Sequence, residues 1–177
     1  MEKTSNEPKP PRSQQEVDRI SELPDGVQIH ILTFLDTRDA VRTSVLSRRW
    51  HRTWAHVPHI KLHLIRVDNP TMLSLDGTLA SHAAPAISKF ELRLEHCQSV
   101  SIGMVDRLIR RAATRHVEYL SLDLSGLVHP CNCAIVYCRR SVRELRTATC
   151  NYFATGTVNW GSLRVLNVVG GHIPEKI

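Results

Sequence analysis

The sequence predicts an α+β protein in two parts, a short helical module followed by a repeating region whose strands form an open parallel sheet. Between Val17 and Val57 the apolar residues recur at steps of three and four, which is typical of helices packed along one face. Farther along, four similar segments alternate apolar and other residues as half-buried strands do. No apolar run approaches the length of about 20 residues that a membrane span requires.

The helical module begins at Leu23-Pro24, because proline fits the first turn of a helix, where its missing N–H is not needed. Shorter apolar stripes around Val41 and Trp50 predict two further helices. About forty residues in three helices are too few to bury this apolar surface internally. The module therefore predicts either a partner or, on pattern alone, a bundle closed on its own core. The first stripe consists of Leu23, Val27, Ile31, Leu32 and Leu35, with Phe34 beside them.

Composition limits the possible compartments. The 177 residues carry a net charge of +6, and 42% of them are hydrophobic, as in ordinary globular proteins. The N-terminus has no apolar segment of the kind found in secretory signals. Five cysteines, an odd number, predict reduced thiols in the cytosol or nucleus rather than a disulfide framework.

The second half of the chain repeats a strand pattern. The segments ISKFELRL, VEYLSLDL, VRELRTAT and LRVLNVV align on Phe90, Leu120, Leu145 and Leu166, which are 30, 25 and 21 residues apart. Leucine-rich repeats have similar periods, of about 20 to 29 residues. Stacking such strands in parallel builds one continuous core that no single strand could bury.

The connections between these strands differ in clarity. From Ser99 to Arg115 an apolar stripe predicts a helix that packs on the sheet, with four arginines, Arg107, Arg110, Arg111 and Arg115, facing water. Residues 60–65 alternate as another half-buried strand. For residues 68–85, the turn dipeptides Asn69-Pro70 and Asp76-Gly77 predict a loop with one or two helical turns.

The residues of both halves resemble a known family. The pattern LPDGVQIHILTFLDTRDAVRTSVLSRRWHRTW is similar to an F-box, and its later part resembles the version in the plant F-box proteins with leucine-rich repeats. The later strand segments resemble the repeat region of the same proteins. Gly26 and Gln28 depart from the commonest F-box pattern, which has an acidic and an aliphatic residue there.

The resemblance implies a fold and a function. The expected fold is a three-helix F-box over residues 17–57, after a disordered tail of residues 1–16, then a connecting strand and loop over 58–86 and a short, open leucine-rich-repeat solenoid over 87–177. The implied function is substrate recognition in a cullin-RING (SCF-type) ubiquitin ligase, in the nucleus or cytoplasm, with an unknown target protein bound by the repeats. The positions that match the surface contacting a Skp-type adaptor are Leu23, Pro24, Ile31, Leu32, Leu35, Val45, Leu46 and Trp50.

No residue pattern predicts catalysis or a cofactor. The chain lacks the nucleophile elbow, the zinc-protease helix, the phosphate loop and the dinucleotide-binding glycines. His129, Cys131, Cys133 and Cys138 lie close together, but their spacing does not match a zinc knuckle, and buried cysteines in a repeat turn are the favoured interpretation.

Two alternatives to the receptor remain open from the sequence. The chain could occupy the adaptor without delivering a target, as a truncated F-box protein would. Alternatively, the arginine-rich helix could bind nucleic acid. A solvated helix face is favoured over the latter, because no aromatic residues are interleaved with the arginines to stack on bases.

Overall fold

The computed structural model describes residues 19–20, 22–127, 141–148 and 161–170, and these form helices and one sheet. The helical module contains three short α-helices, the second and third each extended by a 3-10 turn, at Thr43–Val45 and Trp54–His56. The remaining helices alternate with the first strands of the sheet. In chain order the elements are α1 Asp25–Leu32, α2 Thr37–Arg42, α3 Trp50–Thr53, β1 His59–Ile65, α4 Asn69–Ala80, β2 Lys89–Glu95, α5 Ile102–Ala113, β3 Tyr119–Asp123, β4 Glu144–Ala148 and β5 Val165–Val169.

The five strands form a parallel sheet in the order β1-β2-β3-β4-β5. The four strands predicted from the repeat are confirmed, and the residues on which the segments align are direct neighbours in the register. The sheet also contains β1, which sequence analysis treated as a connecting strand. Its register with β2 places Ile60 opposite Phe90, again 30 residues apart, so the repeating pattern begins one strand earlier than predicted.

Alternate strand residues point into a core that α4 and α5 cover. The inward residues of β1, β2 and β3 are buried because the helices lie against that face. The predicted amphipathic helix is confirmed as α5, with Val105, Leu108, Ile109 and Ala112 buried. The core is therefore built from the repeat, as the spacing indicates.

The arginines of α5 correct one expectation. Arg107 and Arg110 are exposed, as predicted. Arg111 is instead paired with the buried Asp76 of α4. Just beyond the helix, Arg115 donates hydrogen bonds to the carbonyl oxygens of Ala84 and His82, at 2.8 and 3.0 Å. The expectation that all four arginines face water is therefore wrong for two of them, which connect α5 to the preceding helix and loop.

The loop predicted for residues 68–85 is also wrong, because most of it is α4. Asp68 caps this helix, and its side chain accepts a hydrogen bond from the backbone N–H of Thr71 at 2.9 Å. Pro70 then lies in the first turn, where proline is favourable. Gly77 lies within the helix on its exposed side, where it costs stability without ending the helix.

The helical module is attached to the first strand of the sheet. The backbone N–H of Lys61 on β1 donates to Oγ1 of Thr37, the first residue of α2, at 2.9 Å. The Lys61 ammonium donates to the carbonyl oxygen of Thr33, at the end of α1, also at 2.9 Å. On the other side of the module, the carbonyl oxygen of Ala55 accepts from the N–H groups of Ala83 and Ala84. The module therefore covers the outer edge of β1.

Among the described residues, no helix combines the length and the hydropathy of a membrane-crossing segment. The tail predicted for residues 1–16 lies outside the described part of the chain.

Candidate protein-interaction site

The helical module presents a set of large apolar side chains to solvent. Val45 is 84% exposed, Phe34 71% and Leu46 61%, which are high values for side chains of this kind. Val27, Ile31 and Leu35 of the first stripe are also exposed, by 36 to 44%. Several exposed apolar side chains of this size within one short module are typical of interaction surfaces. We refer to Val27, Ile31, Phe34, Leu35, Val45 and Leu46 as the apolar face.

A small core lies beneath this apolar face. Leu32 and Trp50 are 1% and 3% exposed and pack with Ala40 and Val57. Both side chains are covered within the chain itself. Their contact with the adaptor stays a prediction.

The start of α1 contains the two other predicted adaptor residues. Leu23 is half-buried, and its carbonyl oxygen accepts a hydrogen bond from Nε2 of Gln28 at 3.0 Å. Pro24 is exposed and lies directly before the helix. Gln28, which departs from the commonest F-box pattern, is fully buried, and its Oε1 also accepts from Oγ1 of Thr53 at 3.3 Å. The departure is therefore accommodated inside the module, with both ends of the amide paired.

Sequence reasoning placed Val27 and Phe34 on the stripe but not among the contact residues. Phe34 follows α1 and stands over the edge of the His30 ring, with ring centroids 5.0 Å apart. Their spacing could have suggested both residues. Val27 precedes Ile31 by four positions and Phe34 follows it by three, so both continue the same side of the helix. The apolar face thus extends beyond the positions that the motif alone identified.

An exposed ion pair joins the start of α1 to the residue before α3. Both Nε and Nη2 of Arg49 donate to Oδ1 of Asp25, at 2.9 and 2.7 Å. Because Asp25 begins α1 and Arg49 precedes α3, this contact links the two helices. The pair is exposed, so its contribution to stability is small.

The open face of the sheet, opposite α4 and α5, is a second candidate surface. It carries charged side chains that pair along and across the strands. Arg93 pairs with Glu95 at 2.8 Å and lies 3.5 Å from Asp123, while Lys89 pairs with Glu91 at 2.7 Å. Arg146 pairs with Glu144 in the same manner on β4. The positive and negative charges on this face therefore pair with one another.

Tyr119 occupies a central position on the open face. The ammonium of Lys89 lies 4.6 Å from the centroid of its ring, and the guanidinium carbon of Arg146 lies 5.8 Å from it. Both distances are within the range of cation–π attraction. Tyrosine and arginine are among the residues enriched in the hot spots of protein interfaces, so Tyr119 is a candidate contact for a protein partner.

The described residues contain no cluster of three or more His, Cys, Asp and Glu side chains arranged to hold a metal ion. The group of His129, Cys131, Cys133 and Cys138 lies outside the described residues. Cys97, which is described, is a buried free thiol.

Comparisons with known proteins agree with this geometry. Residues 20–61, which include the helical module and the start of β1, match the F-box domain. This segment of the chain is thus similar to the F-box domain. No solved structure matches it.

Its relatives include plant proteins with both an F-box and leucine-rich repeats. The chain is 33% identical over 162 residues to F-box/LRR-repeat protein 25 of Arabidopsis thaliana. The aligned residues cover 90% of this chain and 60% of that protein. It is 33% identical over 152 residues to an F-box protein of the same plant, and the alignment covers 86% of this chain and 48% of that protein. A further F-box/LRR-repeat protein of this plant is 32% identical over 159 residues, with 86% of this chain and 33% of that protein covered.

The chain is therefore related to the plant F-box/LRR-repeat proteins, and the resemblance of its residues to that family is confirmed. It spans 60% of the length of the first of these relatives and from a third to a half of the other two. No enzymatic domain is indicated by these comparisons.

Proposed function

We propose that the chain is the substrate-recognition subunit of an SCF-type ubiquitin ligase and binds a Skp-type adaptor through the apolar face. The observation that carries the proposal is the exposure of Val45, Leu46 and Phe34 within the segment that matches the F-box. Covering one such side chain contributes about 1.5–3 kcal/mol. Several together can offset the loss of translational and rotational freedom on association.

The adaptor-binding residues in this proposal are the predicted ones with two changes. Less exposed side chains are given a supporting role, and two exposed residues of the apolar face are added. Pro24, Ile31, Leu35, Val45 and Leu46 would contact the adaptor together with Val27 and Phe34. Leu23, Leu32 and Trp50 would hold these side chains in place.

The target protein would bind the open face of the sheet, which we propose to be the beginning of a leucine-rich-repeat solenoid. Tyr119 would be its central contact. The chain would act by proximity, since it would raise the concentration of target lysines near the ubiquitin-charged enzyme held by the ligase. No residue of this chain would take part in bond formation. We propose the nucleus or cytoplasm as the site of action, which imaging of a fluorescent fusion would test.

Substitutions on the apolar face test adaptor binding. We expect the double variant Val45→Asp, Leu46→Asp to bind a purified Skp-type adaptor at least about 100-fold more weakly, because two charges would have to be desolvated. Leu73→Asp is the matched control, since Leu73 on α4 is 55% exposed and lies outside the apolar face. Titration calorimetry would measure both. Unchanged affinity of the double variant contradicts the proposal.

A second experiment separates target binding from adaptor binding. Affinity capture with the parent chain and with Tyr119→Ala should recover the same adaptor, while proteins that depend on the open face are lost from the variant. If both chains capture the adaptor and nothing else, the chain occupies the adaptor without delivering a target.

A further inference from the structure

A long stretch of the helical module and β1 contains no acidic residue. Between Ala40 and Val67 there are six lysines and arginines and no aspartate or glutamate. The net charge of the whole chain, +6, does not reveal this local asymmetry. The stretch includes Val45 and Leu46, two of the three most exposed residues of the apolar face. Positive charge and exposed apolar surface are thus adjacent in the sequence.

The structure shows which of these cations are already paired. Arg42 pairs with Asp39 at 3.0 Å, and Arg49 pairs with Asp25. Lys61 donates to the carbonyl oxygen of Thr33. Arg48, Arg52 and Arg66 are exposed, and the part of the chain that the structure describes offers none of the three a carboxylate within ion-pair distance. Arg66 lies beyond β1, outside the helical module.

Arg48 and Arg52 also lie on the same side of the module. The backbone N–H of His51 donates to the carbonyl oxygen of Ser47, which closes one helical turn around Arg48 just before α3. Residues four apart on a helix share a face, which places the two guanidinium groups one turn apart. The opposite face carries Trp50 and Thr53 into the core. The pair therefore points outward, directly after the turn that carries Val45 and Leu46.

We propose that Arg48 and Arg52 form a cationic border of the apolar face and bind carboxylates of the adaptor. This inference rests on the proposed function, and it specifies the partner surface as an apolar patch bordered by aspartates or glutamates. Guanidinium groups pair well with carboxylates through two parallel hydrogen bonds. Charges at the border of an interface act mainly on the rate of association.

A protein partner explains the arrangement better than a nucleic acid does. Phosphates could bind the two arginines, but they would leave the exposed Val45 and Leu46 beside them uncovered. An acidic protein surface with an apolar centre satisfies both features together.

Association kinetics test the proposal. We expect Arg48→Gln, Arg52→Gln to lower the association rate with a purified Arabidopsis Skp-type adaptor about 10-fold at low ionic strength, with little change in dissociation. The difference should disappear near 0.5 M NaCl, because salt screens exposed charges. Arg48→Lys, Arg52→Lys keeps both charges and should retain most of the rate. Arg66→Gln, Arg107→Gln is the matched control, since both residues are exposed arginines outside the module.

The outcomes are distinct. If the glutamine variant at positions 48 and 52 associates as fast as the parent at every salt concentration, the cationic border is refuted while adaptor binding stands. If the parent does not bind the adaptor at all, both the proposed function and this inference fail. If the parent binds a 20-base-pair DNA duplex, and the glutamine variant loses that binding without a change toward the adaptor, the two arginines serve nucleic acid instead. Circular dichroism of each variant verifies the fold.

Discussion

Gly126 allows two segments of backbone to meet at the end of the sheet. Its N–H donates to the carbonyl oxygen of Leu94 at 3.0 Å, and its carbonyl oxygen accepts from the N–H of Cys97 at 2.9 Å. A Cβ at this position would lie 2.7 Å from Cα of Glu95 and from the backbone nitrogen of His96. These neighbours are backbone atoms that cannot rotate away, so any side chain separates the two segments.

Gly126→Ala is therefore expected to destabilise the fold. We expect the free energy of unfolding to fall by about 1–3 kcal/mol, as in other overpacked sites. Thermal unfolding followed by circular dichroism should show this as a loss of about 2–4 °C per kcal/mol. Gly77→Ala is the control with the opposite sign, because nothing lies within 4 Å of a Cβ there. In the interior of α4 that change should stabilise by up to about 1 kcal/mol. Equal midpoints for the two variants would contradict the argument.

His82 is a buried titratable residue between the helical module and the sheet. Its Nε2 lies 2.8 Å from the carbonyl oxygen of Val57, and its Nδ1 is buried without a partner among the described residues. Burial lowers the pKa of His82 below its ordinary value of 6.5. The nearby positive charges of Arg115 and His56 lower the pKa further, while the hydrogen bond to Val57 opposes the shift. The folded chain therefore favours the neutral ring.

Acid should destabilise the chain through this residue. Because the unfolded state binds a proton more readily than the folded state, the contribution of His82 is complete above pH 6.5 and is lost as the pH falls below it. His82→Gln, which keeps a donor for Val57, should flatten the dependence of unfolding free energy on pH as the pH falls below 6.5. Urea titrations at several pH values would measure it.

His59 is the necessary control for that measurement. Burial lowers the pKa of His59 as well, and the positive charges of Lys61 and Lys89 lower it further. His59→Gln shows how much of the slope arises there. If His82→Gln leaves the slope of the parent unchanged, His82 does not titrate in this window.

At the scale of elements, the strands were predictable and α4 was not. Alternation with a period of two identifies a half-buried strand locally, and the spacing of Phe90 and Leu120 also fixed their register. α4 begins at Asn69-Pro70, which is a turn signal by itself. Only the side chain of Asp68, which accepts from the N–H of Thr71, makes that dipeptide the first turn of a helix. Capping depends on the position of one side chain, which residue types alone do not determine.

An ion pair contributes to the contact between α4 and α5. Nε and Nη2 of Arg111 donate to the two carboxylate oxygens of Asp76, at 2.7 and 3.1 Å. The Asp76 side chain is 9% exposed, and its hydrogen bonds raise the pKa of Arg111. Successive helices of the repeating region are thus joined by a charged contact as well as by their apolar sides.

Arg111→Met should destabilise by about 1–3 kcal/mol, because it leaves a buried carboxylate without its donor. Adding Asp76→Leu should recover most of the loss, since an apolar pair of similar volume is often tolerated in place of a buried ion pair. Urea unfolding of the single and double variants would measure the coupling. Arg107→Met, an exposed arginine on the same helix, should change stability by less than about 0.5 kcal/mol. Additive effects of the two substitutions would refute a specific pair.

At the scale of the whole molecule, the candidate site was predictable in outline. The stripe at Ile31 and Leu35 is exposed, as expected for a face that a partner completes. The stripe pattern could not show that Leu32 faces inward, because a helix with apolar residues on two sides has no unique core direction in sequence. That direction is set by the contact of the module with β1, which joins residues more than twenty positions apart.

The same contact predicts that the module and the sheet unfold together. Among the described residues, the core of the module consists of Leu32, Ala40, Trp50 and Val57 with Ile29 and Trp54 packed against them, which is too small to be stable alone. Thr37→Val removes the acceptor of the Lys61 N–H and should cost about 1–2 kcal/mol. In a Trp160→Phe background, fluorescence reports Trp50 and Trp54 of the module, while circular dichroism reports the whole chain. Both probes should give one midpoint in the parent and the same lower midpoint in Thr37→Val. A shift of the fluorescence midpoint alone would mean that the module unfolds independently, and the adaptor-binding surface would then be a separate domain.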